Sequence, residues 1–318
     1  MNAPDGLLLL DKPAGLTSHG AVARTRRALG TRKVGHAGTL DPMATGLLVL
    51  GIGRATRLLT YIVGVDKTYT ATIRLGQGTN TDDAEGEATS SPGARLAAGP
   101  ERVVRLEPDG IEAVAAGLRG PIEQVPSAVS AIKVDGKRAY ARVRAGEEVA
   151  LPARPVTIHR FALAEPRASV AADGTPVVDV DAVIDCSSGT YVRALARDLG
   201  ARLGCGGHLT ALRRTRVGPF DLDPEPTATA ARTAAVRADD TLPRTAPDAL
   251  LSVTTALRLL LPARELTEGE ARAVRYGQSL AAGGMAELAG AFDPAGRGIA
   301  VLSLDGERAR PVLVLDPA

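Results

Sequence analysis

Strand and helix signals follow one another in this chain without regular alternation, and that order constrains its fold more than any other feature. Residues 7–10 are four leucines that run into an Asp-Lys-Pro-Ala-Gly turn, which predicts a short buried strand. Ser18 is the predicted N-cap of a helix that closes at Gly30, and residues 46–53 and 68–75 predict two further strands. Because doubly wound folds need regular alternation, we expect an α+β fold with a mixed, mostly antiparallel sheet.

The rest of the chain continues this irregular order. The same signals predict an exposed loop at 76–100, a helix at 112–118, a hairpin at 132–138, a strand at 177–184, a helix at 191–203 and a basic strand at 209–217. Residues 224–247 are rich in Pro, Ala and Thr and predict a connection. Two strand-like runs near the C-terminus, 299–304 and 311–315, predict a small β-rich module.

A length of 318 residues is comfortable for two domains. We predict a main domain over residues 1–250, with an insert at about 124–160, and a C-terminal domain over residues 251–318. No apolar run approaches the roughly 18 residues that a membrane helix needs, so we expect a cytoplasmic protein without membrane contact.

The cysteines and histidines give no reason to invoke a metal or a disulfide framework. Cys186 and Cys205 lie far apart and outside any C-x-x-C spacing. The four histidines are dispersed, and none forms an H-x-x-x-H or H-E-x-x-H pattern. We therefore expect neither a metal nor another cofactor.

Charge is unevenly distributed although the net charge is only +2. Residues 12–74 contain ten Lys or Arg against two Asp, and residues 193–216 contain six Arg against one acid. Residues 82–112 reverse the balance, with eight acids against three arginines. This distribution favours one basic face that binds a polyanion, although an Arg-rich composition without such a partner explains it equally well.

The glycine-rich loop Gly35-His-Ala-Gly-Thr-Leu-Asp41-Pro contains a single acid between two basic segments. Asp-Pro often begins a turn, so Asp41 has an ordinary interpretation as a turn or cap residue. The alternative is a carboxylate that nearby arginines keep ionised and that acts as a nucleophile.

Five blocks in order make the second interpretation specific. They are Lys12-Pro-Ala-Gly-Leu-Thr-Ser, the Asp41 loop, Asp66-Lys-Thr-Tyr69, Ser188-Gly-Thr-Tyr191-Val-Arg193, and Gly206-Gly-His-Leu-Thr-Ala-Leu212-Arg-Arg. Together they resemble the motifs of the bacterial pseudouridine synthase B (TruB) family, over residues 7 to 217. Met43 stands where leucine is common in the family, a swap that conserves volume.

The resemblance implies the pseudouridine synthase fold for the main domain and a PUA-like, RNA-binding C-terminal domain. It implies isomerisation of uridine 55 in the T loop of tRNA to pseudouridine, with base flipping and without a cofactor. The implied catalytic residues are Asp41 as nucleophile, Tyr69 near C5 of the uracil, and Arg193 paired with Asp41. The implied substrate contacts are His36 in the stack left by the flipped base, and Tyr69, Tyr191 and Leu212 around the uracil. Lys12 is expected to hold the catalytic loop.

The expected partner is the T stem-loop of tRNA, bound by a monomer without an obligate protein partner. Basic residues expected to grip the RNA backbone are Lys133, Lys137, Arg138, Arg142 and Arg144 in the insert, with Arg213 and Arg214 outside it. Two alternatives stay open: a guide-RNA-dependent enzyme resembling dyskerin, and a noncatalytic RNA-binding or tRNA-folding protein. The absence of a long basic tail argues against the first. A glycosidase is disfavoured because the loop offers no second acid.

Overall fold

The computed structural model describes residues 5–96, 103–127, 133–134, 137–138, 151–222, 235–238, 242 and 248–318. The strands in chain order are β1 (Gly6–Lys12), β2 (Val34–His36), β3 (Thr45–Ile52), β4 (Lys67–Leu75), β5 (Gly78–Thr79), β6 (Ala88–Ser90), β7 (Ala94–Arg95), β8 (Val104–Arg105), β9 (Gly120–Gln124), β10 (Lys133–Val134), β11 (Lys137–Arg138), β12 (Arg154–Leu163), β13 (Arg167–Val170), β14 (Pro176–Cys186), β15 (Gly207–Val217), β16 (Phe220–Asp221), β17 (Val236–Arg237), β18 (Ala263–Glu265), β19 (Leu280–Ala281), β20 (Leu288–Phe292), β21 (Gly298–Asp305) and β22 (Arg308–Val314).

Helices are fewer than strands in the described ranges. They are α1 (Ser18–Ala28), a 3-10 helix (Gly53–Leu58), α2 (Leu59–Val63), α3 (Pro108–Ala116), α4 (Val192–Arg202), α5 (Val253–Leu260) and α6 (Glu268–Arg275). Within the same ranges, no helix has the length and apolarity needed to cross a membrane.

The chain divides into two compact units, the first formed by residues 1–65 and 215–318 and the second by residues 66–214. In the first unit, β1 pairs antiparallel with β3 along its whole length. Strand β2 also pairs antiparallel with β3, and β17 lies parallel to β1. The four leucines of residues 7–10 are fully buried, which confirms the predicted strand and explains why they do not alternate with polar residues.

The C-terminal part of the first unit is a β-rich module, as the sequence predicts. Five strands form a sheet in the order β18-β20-β21-β22-β19, and α5 and α6 accompany it. Leu257 of α5 and Phe292 of β20 belong to the same hydrophobic cluster as Leu7 and Leu47 of the N-terminal strands. This shared cluster joins the two sequence segments of the first unit into one core.

The second unit is built on a sheet with the order β15-β4-β14-β12-β9, and β13 pairs with β14. The pairings of β14 with β4 and β12, and of β12 with β9, are antiparallel, which confirms the expected α+β fold. Helix α4 lies close to the start of β15. A Cβ atom on Gly200 would collide with the backbone of Gly206, so glycine is required at this contact.

Three predictions from sequence need correction. The N-cap of α1 is Thr17, whose side chain accepts a hydrogen bond from Gly20, while Ser18 begins the helix and turns inward. The helix predicted at 112–118 begins earlier, at Pro108, because proline suits the first turn. The segment 76–100, expected to be an exposed loop, contains short strands in its described part and buries Asp82 and Asp83.

Candidate active site

The loop that carries Asp41 lies in the first unit and is held by the buried side chain of Lys12. The Lys12 Nζ atom donates hydrogen bonds to the carbonyl oxygens of Pro13 at 2.9 Å, Leu16 at 2.7 Å and Pro42 at 3.2 Å. Lys12 is fully buried, so this ammonium replaces its lost hydration with backbone carbonyls. The structural role predicted for Lys12 is confirmed, and one of its bonds reaches the residue that follows Asp41.

Ser18 fixes the residue that precedes Asp41. Its buried hydroxyl donates to the Leu40 carbonyl at 3.0 Å and accepts from the Leu40 amide at 2.9 Å. The Gly15 amide donates to the Pro42 carbonyl at 2.8 Å, and the Ala44 amide donates to the Asp41 carbonyl at 3.1 Å. The backbone is therefore held on both sides of Asp41. Asp41 itself is partly exposed to solvent.

His36 ends β2 at the start of the same loop. Its ring makes an edge-to-face contact with the ring of His19 on α1, with centroids 5.7 Å apart and planes at 78°. His19 is exposed and His36 is partly buried. This edge-to-face arrangement is one of the geometries that ring pairs prefer.

Tyr69 and Leu212 lie on neighbouring strands of the second unit, β4 and β15. Each is 8% exposed, and each belongs to the buried set of its alternating strand. Lys67, two residues before Tyr69, is buried as well. The pKa of Lys67 is lowered to about 8, mainly by burial and secondly by the positive charge of Arg214.

Arg193, the second residue of α4, is buried and paired within the second unit. Its Nη1 atom donates to the Thr81 carbonyl at 2.7 Å and lies 3.2 Å from the Asp83 carboxylate. Asp83 is only 3% exposed. Sequence reasoning missed Asp83 because it lies in an acidic segment whose composition is typical of an exposed loop. The predicted pair between Arg193 and Asp41 stays a prediction.

Tyr191 is positioned through its backbone. Gln124, at the end of β9, accepts from the Tyr191 amide at 2.8 Å and donates to the Tyr191 carbonyl at 3.1 Å. The Gln124 side chain is buried, so these two bonds satisfy an amide group that has left water. Gln124 thus fixes the residue at the N-terminus of α4.

The residues expected to grip RNA are only partly described. Lys133, Lys137 and Arg138 belong to the antiparallel pair of β10 and β11, which confirms the predicted strand pairing, while the Asp-Gly turn lies outside the described residues. Arg142 and Arg144 lie outside the described residues. On β15, Arg213 is partly exposed, whereas Arg214 is 1% exposed. Burial of Arg214 does not favour the phosphate contact expected from its sequence.

The comparisons with known proteins agree on the family. The profile of the TruB family pseudouridylate synthase N-terminal domain matches residues 26–192. The profile of the tRNA pseudouridylate synthase B C-terminal domain matches residues 193–262, and that of the tRNA pseudouridine synthase II C-terminal domain matches residues 261–316. The chain belongs to the TruB family of pseudouridine synthases, which makes it an isomerase.

Relatives match along nearly the whole chain. The tRNA pseudouridine synthase B of Paenarthrobacter aurescens is 55% identical, over 98% of this chain and 95% of the relative. That of Mycolicibacterium paratuberculosis is 52% identical, over 99% of each. Among solved structures, a chain of a Cbf5–Nop10–Gar1 complex aligns with a TM-score of 0.69 at 24% identity, covering 98% of this chain and 85% of that chain. That likeness concerns the fold.

Proposed function

We propose that this enzyme converts the uridine at position 55 in the T loop of tRNA to pseudouridine, with Asp41 as the nucleophile. The observation that carries the proposal is the Asp41 loop itself. Its partly exposed carboxylate lies between residues that Lys12 and Ser18 hold by buried hydrogen bonds. A carboxylate on a fixed backbone suits a nucleophile, because the direction of attack is set before the substrate binds.

The reaction conserves the atoms and electrons of the substrate. The C1′–N1 bond breaks, the uracil turns, a C1′–C5 bond forms, the C5 proton leaves and N1 gains a proton. The Asp41 carboxylate forms a temporary covalent bond with either C1′ or the uracil and is released unchanged. Because the product is an isomer of the substrate, the chemistry calls for no external oxidant or reductant.

The remaining site residues would prepare this step. A guanidinium beside Asp41 would keep the carboxylate ionised, and we assign this role to Arg193, which Asp83 orients from within the second unit. Tyr69 would stack on the uracil near C5, with Tyr191 and Leu212 lining the pocket. His36 would fill the gap in the RNA stack and offset part of the few kcal/mol that flipping a base requires.

Binding to tRNA would combine the insert with the C-terminal domain. The backbone contacts are assigned to the basic residues of the insert, 124–160, and to Arg213. The C-terminal domain, residues 251–318, would add RNA contacts beyond the T loop. The relatives named tRNA pseudouridine synthase B support tRNA as the substrate. We expect the enzyme to act as a cytoplasmic monomer without a protein partner.

The direct test is incubation of the purified protein with an unmodified tRNA transcript, followed by mapping of pseudouridine at single-nucleotide resolution. We expect modification at position 55 alone, and none in a transcript with cytidine there. Asp41→Asn should abolish the product and keep tRNA affinity within a few-fold, because it removes the nucleophilic charge at constant size. Asp305→Asn, at the exposed end of β21, is the matched control and should be fully active.

Three other outcomes would contradict parts of this proposal. Measurable turnover by Asp41→Asn would rule out its role as the nucleophile. Modification at another position would contradict the assigned substrate. Activity only after addition of a guide RNA or partner proteins would favour the guide-dependent alternative.

A further inference from the structure

The turn before Asp83 contains a strained residue. Asp82 has φ of 60°, and within the described ranges it is the one non-glycine residue with positive φ. Its amide donates to the Thr79 carbonyl at 3.3 Å, and its carbonyl accepts from the Leu209 amide at 3.1 Å, so the turn is fixed at both ends. Glycine adopts this conformation without strain, and Asp and Asn adopt it more readily than other residues. Unlike a glycine, Asp82 also places a carboxylate at this turn.

That carboxylate pairs with Arg197. The Asp82 Oδ2 atom lies 3.1 Å from Nη1 of Arg197, and the Asp82 side chain is 12% exposed. Arg197 follows Arg193 by four residues on α4, so both guanidinium groups project from one face of the helix. Two consecutive acids thus bind two arginines one helical turn apart: Asp83 binds Arg193, and Asp82 binds Arg197.

Arg197 also contacts the segment that leads into the RNA-gripping insert. Its Nη2 atom donates to the Val125 carbonyl at 2.8 Å. Ser127, two residues further on, is fully buried. Burial raises the pKa of the Asp82 carboxyl, and the Arg197 and Arg193 guanidinium groups offset part of that rise. Arg197 therefore joins Val125, in the root of the insert (residues 125–127), to Asp82.

Stability alone is a poor explanation for this arrangement. A buried ion pair is often no more stabilising than apolar residues of the same volume. Here the pair also requires a strained backbone and a partly desolvated acid. Groups held under such conditions occur at functional sites, where their position matters more than their energy.

We propose that Asp82 and Arg197 are positioning residues that link the root of the insert to the Asp83–Arg193 pair. Through this link, RNA bound by the insert fixes α4 and the 79–83 turn, and so fixes Arg193 in its working position. The inference rests on the proposed role of Arg193 in pseudouridine formation. It assigns Asp82 and Arg197 no contact with the reacting atoms.

The test compares single-turnover rates on tRNA for Asp82→Gly, Asp82→Asn and Arg197→Ala. Asp82→Gly relieves the strained backbone and removes the carboxylate, and Asn tolerates the same backbone without the charge. We expect each variant to be roughly 10- to 100-fold slower with saturating enzyme, because a misplaced positioning group costs that much. Affinity for tRNA should stay within about threefold, as expected when only the chemical step loses an interaction.

A double variant and a matched pair complete the design. Asp82→Asn with Arg197→Ala should be no slower than the slower single variant, since both changes break one link. Arg105→Ala and Glu107→Gln break an ion pair of the same unit whose side chains are both 58% exposed, and should leave the rate unchanged. Arg197→Lys keeps the charge but cannot reach Asp82 and Val125 together, so it should be slow while remaining folded.

Wild-type rates for Asp82→Gly would show that the turn geometry alone matters, and would overturn the proposal. If the rate of the double variant falls by the product of the two single-variant factors, Asp82 and Arg197 act independently, and the proposed link between them is overturned. If a variant loses its thermal transition, the folded Arg197→Lys variant decides, and a normal rate there overturns the proposal. Failure of the wild-type enzyme to modify tRNA would instead refute the proposed function, so the two failures are distinct.

Discussion

At the scale of single residues, Lys12 shows how one side chain can organise a catalytic loop. Its ammonium is fully buried and binds three backbone carbonyls, one of which belongs to Pro42 beside Asp41. The Pro42 carbonyl also accepts from the Gly15 amide, so removal of the ammonium would take this donor from the Pro13 and Leu16 carbonyls above all. The lysine therefore supports the loop by hydrogen bonding rather than by contact with substrate, and its removal should affect both folding and chemistry.

Lys12→Met keeps most of the side-chain volume and removes the three donors. We expect a loss of about 1–3 kcal/mol in the free energy of unfolding, which is the cost of leaving hydrogen-bonding groups without their partner. The single-turnover rate should fall roughly 10- to 100-fold through displacement of the loop. Denaturant unfolding and rapid-quench kinetics measure the two effects. Lys33→Met, an exposed lysine of the same unit, should change neither, and a fully active Lys12→Met would contradict the loop-holding role.

Asp83 is the second residue whose role depends on burial. Asp83→Asn keeps size but leaves the buried Arg193 guanidinium without this charge. We expect slower single turnover at nearly unchanged tRNA affinity, because Arg193 loses orientation rather than a contact with RNA. Asp109→Asn, an exposed acid on α3, is the control. Weakened binding with a normal single-turnover rate would place Asp83 in RNA recognition instead.

At the scale of elements, the turn between β20 and β21 is organised by Asp293. Its carboxylate accepts from the amides of Ala295 and Arg297 at 3.1 and 2.9 Å, and from the side chains of Arg275 and Arg297 at 2.7 and 2.9 Å. Burial acts to raise the pKa of Asp293, but these donors together lower it to about 2. The ionised carboxylate thus joins the turn to α6.

The low pKa of Asp293 makes a prediction about acid stability. Because the pKa in the fold lies below the unfolded value of 3.8, the ionised group stabilises the fold above pH 4, and the effect disappears as pH falls from 3.8 toward 2. Asp293→Asn should therefore be less stable than wild type by about 1–2 kcal/mol at pH 7, allowing for the exposure of Arg297. The difference should shrink below pH 4. Denaturant unfolding at several pH values measures it, with Asp305→Asn as the control, and a pH-independent difference would contradict the electrostatic cause.

At the scale of the whole molecule, basic side chains fall into two groups, those paired with carboxylates and those in the insert. On the second unit, acids along β14 face partners on β4 and β13: Asp185 binds Thr68, Asp181 binds Thr72 and Arg167, and Asp179 binds Arg74. Arginines on this face are neutralised by carboxylates. The insert contains Lys137, Arg138 and Arg142 instead, so we expect phosphate contacts there and not on the β14 face.

Salt dependence of tRNA binding separates these two groups of cations. Replacing Lys137, Arg138 and Arg142 together by Ala should lower the slope of log affinity against log salt by roughly 1–2 units, because each lost phosphate contact contributes about 0.7–0.9. Replacing Arg105, Arg119 and Arg167 removes the same charge from carboxylate-paired positions outside the insert and should leave the slope unchanged. Equal slopes for both triple variants would show that the insert does not provide the grip.

Local sequence patterns determined most of the elements. The alternation of apolar and polar residues predicted β14, and the unbroken run of leucines at 7–10 predicted β1. A strand buried on one face alternates, whereas a strand buried on both faces is apolar throughout. The irregular order of elements favoured the α+β class, and five motifs indicated the family that the comparisons confirm. The roles assigned to Asp41, Tyr69 and His36 stay predictions.

Tertiary structure decided the partners of charged and polar side chains. The sequence predicts Asp82 and Asp83 to lie in an exposed acidic loop. They are instead buried against Arg197 and Arg193, more than a hundred residues away in the sequence. Ser18, a plausible N-cap, instead holds Leu40. Periodicity records how much of each residue is buried, but an ion pair depends on where two distant backbones come together. That depends on the packing of the whole unit, which no local pattern contains.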